Sequence, residues 1–187
     1  MVKGLMDVAS GVPENKETPA ENATRKEIQL ACFRVGEQMY ALDILRIREV
    51  IRPQRLTPVP KAPAFIEGVL NLRGAVIPVV DLRKRFDQAI KKGNTKARIL
   101  ICVLAGKIVG LMVDEVAEVK NYSRQEIQPA PRFIKGAGTD YFLGVCQRQD
   151  ELVMIMHLEK ILSSDEKIDL DTIRDNLQEA VSESADD

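Results

Sequence analysis

The feature that most constrains the fold is an internal repeat, because similar short blocks occur twice in the same order along the 187 residues. YALDILRIREV begins at residue 40 and VGLMVDEVAEV at residue 109, 69 positions apart. APAFIEG at 62–68 resembles APRFIKG at 130–136, and VVDLRK at 79–84 more loosely resembles IMHLEK at 155–160. A unit repeated at this spacing predicts two small β-units packed against each other, since neither would bury a sufficient core alone.

Short apolar segments bounded by glycine and proline predict that both units are built from β-strands. Residues 28–44 indicate a hairpin that turns at Gly36 and Glu37, and residues 97–116 indicate another that turns at Gly106 and Lys107. Two further strands are expected within 62–81, the second running into a basic helical turn. The segment 44–51 fits either a helix or a strand. Many short strands with this punctuation favour small barrels over a parallel sheet.

The two ends of the chain have a different pattern from the repeat. Residues 1–25 have little apolar periodicity, and we expect them to be disordered. Residues 26–163 hold the β-rich domain, and 164–187 form a tail. Within this tail, helical spacing of apolar residues predicts a short amphipathic helix over 168–181, with Ser163 and Glu166 as a candidate capping box.

Composition disfavours several classes of partner. The 27 basic and 28 acidic residues give a formal net charge of -1, and aromatic residues make up only 4% of the chain. A nucleic-acid-binding protein usually carries a basic excess and aromatic side chains for stacking. The apolar runs are far shorter than the roughly 20 residues of a membrane helix, and the N-terminus has no secretory pattern, so we expect a cytoplasmic protein without membrane insertion.

The residues that most often carry chemistry do not form a recognisable catalytic pattern. Three widely spaced cysteines (Cys32, Cys102 and Cys146) are interpreted as core residues. The single histidine, His157, is read as structural, and Asp81 and Asp114 as solvated caps at strand ends. Gly106 and Lys107 lack the rest of a phosphate-binding loop. We therefore predict a protein that is not an enzyme and has no metal or cofactor.

The remaining interpretation is that the chain acts by binding other proteins through its surface. Arg73, in the sequence NLRG, is expected in a turn that presents its charge, and Glu49 lies within reach as a bidentate partner. A solvated surface pair with little energetic effect is the alternative, and the residues themselves leave both open.

The string GVLNLRGAVIPVVDLRKRF at 68–86 resembles the signature of the chemotaxis coupling protein family CheW. YALDILRIREVI, TPVPKAPAFIEGV and VGLMVDEVAEV are similar to other landmarks of that family, so the resemblance runs from about residue 26 to 162. It implies a mainly β fold of two intertwined, SH3-like, five-stranded β-barrels around a shared core, with short helices at the C-terminus. It also implies an adaptor that joins chemoreceptors to a CheA-type histidine kinase at receptor arrays on the inner face of the membrane.

The resemblance further implies which residues bind partners. The kinase's regulatory domain would pair with one barrel, and the hairpin tip of a chemoreceptor would enter the groove between the barrels. By position, the binding residues are Ile47, Glu49, Val50, Arg73, Val116 and Val119. Asn71 and Gly74 are expected to shape the turn around Arg73.

Three other functions compete with this interpretation. An oligonucleotide-binding barrel would need a basic stripe with aromatics, and a barrel enzyme would need site chemistry. A coupler of the same family in a non-flagellar pathway, such as surface attachment or pilus signalling, is not separated from chemotaxis by sequence. Kinase or receiver segments are not recognisable in the 187 residues, which favours a free-standing coupler.

Overall fold

Ten β-strands and two short helices make up the regular structure of the computed structural model, which describes residues 27–130 and 139–162. The strands of the first half are β1 (Glu27–Val35), β2 (Gln38–Asp43), β3 (Ile47–Ile51), β4 (Ile66–Leu72) and β5 (Ala75–Asp81), followed by helix α1 (Leu82–Arg85). Those of the second half are β6 (Arg98–Leu104), β7 (Lys107–Val113), β8 (Glu115–Ser123), β9 (Phe142–Arg148) and β10 (Glu151–Met156), followed by helix α2 (Leu158–Leu162). The predicted disorder of 1–25, the helix over 168–181 and the candidate cap at Ser163 lie outside the described residues.

The strands form two five-stranded sheets, and each sheet takes strands from both repeats. Barrel 1 has the order β8-β1-β2-β10-β9, and barrel 2 has the order β3-β6-β7-β5-β4. Adding five to each strand number of barrel 2, and continuing the count from β10 to β1, gives the strand order of barrel 1. Each barrel therefore combines the first hairpin of one repeat with three strands of the other. The predicted fold, mainly β with two small barrels around a shared core, is confirmed.

The register of the repeat differs from the predicted one in its middle block. β4 begins at Ile66 and β9 at Phe142, 76 positions apart. The residue before each strand accepts an equivalent hydrogen bond, from the amide of Asp81 to the carbonyl of Phe65 and from the amide of His157 to the carbonyl of Tyr141. Residues 65–68 therefore correspond to 141–144, and their predicted match to residues within 130–136 is wrong. Backbone pairing fixes the register, whereas the similarity of two short strings does not.

Two glycines support this register. Gly68 and Gly144 are also 76 positions apart. A Cβ atom at Gly68 would lie 2.5 Å from the carbonyl oxygen of Thr57, and one at Gly144 would lie 2.5 Å from that of Gln128. In both repeats the connecting chain thus approaches the strand too closely for any side chain at this position.

The hairpins β1–β2 and β6–β7 are buried on both faces, which explains their almost continuous apolar sequences. In β6, Ile99 and Ile101 point into barrel 2, whereas Leu100 and Cys102 point into the shared core between the barrels. In β1, Leu30 and Cys32 point into barrel 1, whereas Phe33 and Val35 contribute to the shared core. Because successive side chains of a strand alternate between its faces, one hairpin serves two cores.

The ambiguous segment 44–51 contains both kinds of structure. It begins as a 3-10 turn over Ile44–Arg46 and continues as strand β3. The carboxylate of Asp43 accepts a hydrogen bond of 2.9 Å from the amide of Leu45 and so stabilises the start of the turn. The second predicted hairpin turns one residue earlier than expected, at Ala105 and Gly106, where both φ angles are positive.

All three cysteines are free and buried, which confirms their interpretation as core residues. Burial raises the pKa of the Cys102 thiol to about 12. Burial likewise raises the pKa of Cys146 to about 11 and also raises that of Cys32. Thiols with raised pKa values are poor nucleophiles at neutral pH.

The prediction that Asp81 and Asp114 are solvated caps is wrong in one respect, because both side chains are buried. Asp81 does cap α1, accepting a hydrogen bond of 2.9 Å from the amide of Arg83. The guanidinium of Arg83 donates to both oxygens of Asp81, at 2.9 and 2.8 Å, and to Asp114 at 3.4 Å. The other oxygen of Asp114 accepts a hydrogen bond of 2.7 Å from the amide of Gly36. The arginine two residues after Asp81 permits burial because it compensates the charge.

The equivalent corner of the second repeat carries reversed charges. Glu159, which is 76 positions after Arg83, forms an ion pair of 2.9 Å with Arg46. This pair is more exposed than the one around Arg83. His157 takes the place of Asp81 before the helix, and its Nδ1 lies 3.0 Å from Glu159. Each helix is therefore tied to a strand corner of the other repeat.

Candidate protein-binding site

Strand β3 lies at the edge of barrel 2 and presents apolar side chains at the border of the shared core. Ile47 is half-buried and packs against that core. Val50 is 45% exposed and pairs with Leu100, whose side chain belongs to the shared core. Residues directly opposite in paired strands point to the same face, so Val50 lies on the face that borders the shared core.

Strand β8 repeats this arrangement at the edge of barrel 1. Val116 packs against the shared core and pairs with Phe33. Val119 is 49% exposed and pairs with Ala31. Ala31 lies on the face of β1 that points away from the interior of barrel 1. We call the four residues Ile47, Val50, Val116 and Val119 the apolar rim. It places two equivalent side chains on each barrel, at the border of the core that the barrels share.

The predicted pair between Glu49 and Arg73 is present. Arg73 lies in the turn between β4 and β5, where its φ of 52° is held by a hydrogen bond of 2.9 Å from the amide of Gly74 to the side chain of Asn71. Two guanidinium nitrogens of Arg73 donate to the two oxygens of Glu49, at 2.8 and 2.9 Å. This bidentate hydrogen bonding lowers the pKa of Glu49. Asn71 and Gly74 shape the turn, as predicted.

The Glu49–Arg73 pair does not lie on the same face of β3 as Val50. Glu49 is opposite Ile101, whose side chain points into barrel 2. The pair joins β3 to the turn that follows β4, and β3 and β4 are the first and last strands of this sheet. In barrel 1 an equivalent pair joins β8 and the end of β9, where Arg148 donates to Glu118 at 2.6 Å. The six predicted site residues therefore divide into an apolar rim and an ion pair at the seam of barrel 2.

Sequence reasoning missed the β-bulge that shapes both edge strands. The register of β3 skips Arg48 between Ile47 and Glu49, and the register of β8 skips Ala117 between Val116 and Glu118. The bulge lets Ile47 and Val50 share a face despite their odd spacing. The 69-residue offset relates Arg48 to Ala117, but nothing in either segment marks these positions as bulged.

The described residues contain no group of three or more His, Cys, Asp or Glu side chains that could hold a metal ion. No helix within residues 27–130 or 139–162 is long and apolar enough to cross a membrane.

Comparison with known proteins assigns the family. The model of the CheW-like domain matches residues 29–166, which is most of the chain. The chain belongs to the CheW family. It is 31% identical to the chemotaxis protein CheW of Treponema pallidum over 145 residues, covering 75% of this chain and 85% of that protein. It is 30% identical to CheW of Helicobacter pylori, covering 88% of this chain and 99% of that protein.

A solved structure gives the same assignment. The scaffolding protein TtCheW of Thermoanaerobacter tengcongensis superimposes with a TM-score of 0.72 at 33% sequence identity, covering 78% of this chain and 94% of that one. The protein FrzA of Myxococcus xanthus is also similar, at 30% identity over 75% of this chain and 88% of its own length. As a CheW-family member, the chain is a chemotaxis scaffold.

Proposed function

We propose that this CheW-family scaffold couples chemoreceptors to a CheA-type histidine kinase and catalyses no reaction itself. The apolar rim binds the helical hairpin tip of a receptor in the groove between the barrels. One barrel pairs with the related regulatory domain of the kinase. An amphipathic helix in an apolar groove is a common mode of peptide recognition, and the rim supplies the apolar contacts that this mode requires.

The exposure of Val50 and Val119 is the observation that carries the proposal. Both are about half exposed, and they occupy equivalent positions of the two repeats. One exposed valine is ordinary, but two at equivalent positions, each beside a residue packed on the shared core, offer a partner apolar area to remove from water. Ile47 and Val116 connect each exposed valine to the shared core, which gives the contact a rigid base.

We also propose where the coupling domain begins and ends and where in the cell it acts. Residues 26–163 form that domain, and 1–25 and 164–187 are extensions to it. It acts in the cytoplasm at receptor arrays, without inserting into the membrane and without binding nucleic acid.

The first test is co-sedimentation of the full chain with receptor-bearing membranes and purified CheA-type kinase. Val50→Asp and Val119→Asp should each weaken receptor binding by about tenfold or more, because each buries an unpaired charge against an apolar partner. Ile90→Asp is the matched control, since Ile90 is also 45% exposed but lies outside the rim, between α1 and β6. Equal binding by all three variants would contradict the proposal.

The same assay examines the ion pair at the seam. Arg73→Glu places two carboxylates together and should abolish receptor-dependent kinase activation. The charge-swapped variant Glu49→Arg/Arg73→Glu should recover binding if the pair itself is what holds the edge of barrel 2. Binding by the swapped variant no better than that of either single variant would contradict a role for the pairing.

A further inference from the structure

The two sides of the apolar rim differ in charge, although their backbones are equivalent. Arg48 and Arg52 flank Val50, whereas Ala117 and Asn121 flank Val119 at the positions 69 residues later. All four flanking residues are exposed. Where the repeat preserves the exposed valine, it therefore replaces these two cationic side chains by a small one and a neutral one. The cation next to Val119, Lys120, pairs with Leu30 on the barrel 1 face of β8, and its ammonium lies 4.9 Å from the centroid of the Tyr122 ring.

The two arginines flank Val50, with Arg48 inside β3 and Arg52 directly after its last residue. Arg48 and Arg52 are each two residues from Val50, and both are exposed. Arg48 is the extra residue of the bulge next to Cys102, whose side chain lies in the shared core. The positive charge therefore flanks Val50 at the edge strand of barrel 2.

Neither arginine is neutralised within the part of the chain that the structure describes. Arg48 and Arg52 have no ion pair or side-chain hydrogen bond among residues 27–130 and 139–162. The nearby carboxylate of Glu49 is held by Arg73, and Arg46 is paired with Glu159. Their guanidinium groups, each with five hydrogen-bond donors, are available to an acidic partner.

We infer that Arg48 and Arg52 bind acidic side chains along one flank of the receptor hairpin and thereby fix the direction in which the hairpin lies in the groove. This inference rests on the proposed function. The groove of the proposed function, with equivalent backbones on its two sides, would accept an antiparallel helical hairpin in two orientations related by the symmetry of the repeat. The apolar contacts of Val50 and Val119 are the same in both. Only one orientation places acidic residues against the two arginines, so charge decides between them.

The structure supplies a variant that removes this asymmetry. Arg48→Ala/Arg52→Asn gives the β3 side the same flanking residues as the β8 side. With a purified cytoplasmic receptor fragment as the probe, this variant should bind about tenfold more weakly at low salt and with a smaller dependence on salt. The charge-retaining variant Arg48→Lys/Arg52→Lys should remain within about threefold of the wild type.

Orientation is read by cross-linking, because the natural thiols are buried and a surface cysteine would react selectively. A cysteine replaces Gln54 near the arginines, or Gln125 after β8, and carries a photoreactive cross-linker. In the wild type each position should label one helix of the receptor hairpin and not the other. In Arg48→Ala/Arg52→Asn each position should label both helices.

The outcomes separate this inference from the proposed function. If the wild type does not bind the receptor fragment, the proposed function itself fails. If it binds but the arginine variant keeps the same affinity and the same cross-links, the inference is wrong and the coupling role stands. Wild-type sedimentation with phosphatidylglycerol vesicles that the variant loses, with receptor binding unchanged, would assign the arginines to a lipid surface and also overturn the inference.

Discussion

At the scale of single residues, Glu49 shows how one hydrogen-bonded pair changes a titration. Arg73 donates to both carboxylate oxygens, and this lowers the pKa of Glu49 below its ordinary value. For a lowered folded-state pKa, the stabilisation is present above the pKa of the unfolded carboxyl and is lost as the pH falls through the folded-state pKa. The pair therefore remains formed at neutral pH and weakens only in acid.

Replacing Arg73 should raise the pKa of Glu49. In Arg73→Gln, the side-chain carboxyl of Glu49, followed by carbon NMR across an acid titration, should titrate nearer its ordinary pKa because the charged donor is gone. Arg48→Gln is the control, since Arg48 interacts with Glu49 only through space and contributes less to the shift. An unchanged midpoint in Arg73→Gln would show that the bidentate pair does not form in solution.

At the scale of elements, the two helices are fixed to strand corners by pairs that differ in burial. Around Arg83 the acidic partners Asp81 and Asp114 are buried, whereas Arg46 and Glu159 retain more than a third of their side-chain exposure. The same position in the repeat therefore carries a buried charge cluster in one half and a solvated pair in the other.

Removing the two arginines should have unequal effects on stability. Arg83→Met leaves two buried carboxylates without their cation and should lower the free energy of unfolding by about 3–5 kcal/mol. Arg46→Met removes a partly solvated partner and should cost about 0–1 kcal/mol. Urea unfolding of both variants measures the difference, and equal losses would contradict the burial of the Arg83 cluster.

At the scale of the whole molecule, the exchange of strands makes the two halves interdependent. β3 pairs with β6 from the other half, and β5 pairs with β7 as well as with β4. A half by itself would leave both barrels incomplete and the shared core open. Each repeat is therefore a unit of sequence that does not fold independently.

Cutting the chain in the exposed loop between Lys92 and Gly93 tests this interdependence. Fragments 1–92 and 93–187 should each give a poorly dispersed amide NMR spectrum when separate, because each lacks the strands that complete both of its barrels. Mixed in equal amounts, they should give the dispersed spectrum of the intact chain. A folded spectrum from either fragment by itself would show that a half can form its own core.

Much of the local structure follows from the sequence because it depends on neighbouring residues. Glycine at position 36 between two short apolar segments predicted the first hairpin. The 69-residue offset by itself relates Ile47 to Val116 and Val50 to Val119. The family resemblance added the two-barrel architecture and marked the same residues for partner binding.

The tertiary structure decided the features that depend on contacts between distant residues. The register of β9 is set by its backbone pairing with β10, so the similar string at 130–136 predicted it wrongly. The burial of Asp114 depends on Arg83, 31 positions earlier, which no local pattern around either residue reveals. The sequence determined the two hairpins, the strands within 62–81 and the residues that repeat 69 positions apart, because these patterns are local. Which strands share a barrel, and which charges are buried, depends on the energy of packing the whole chain.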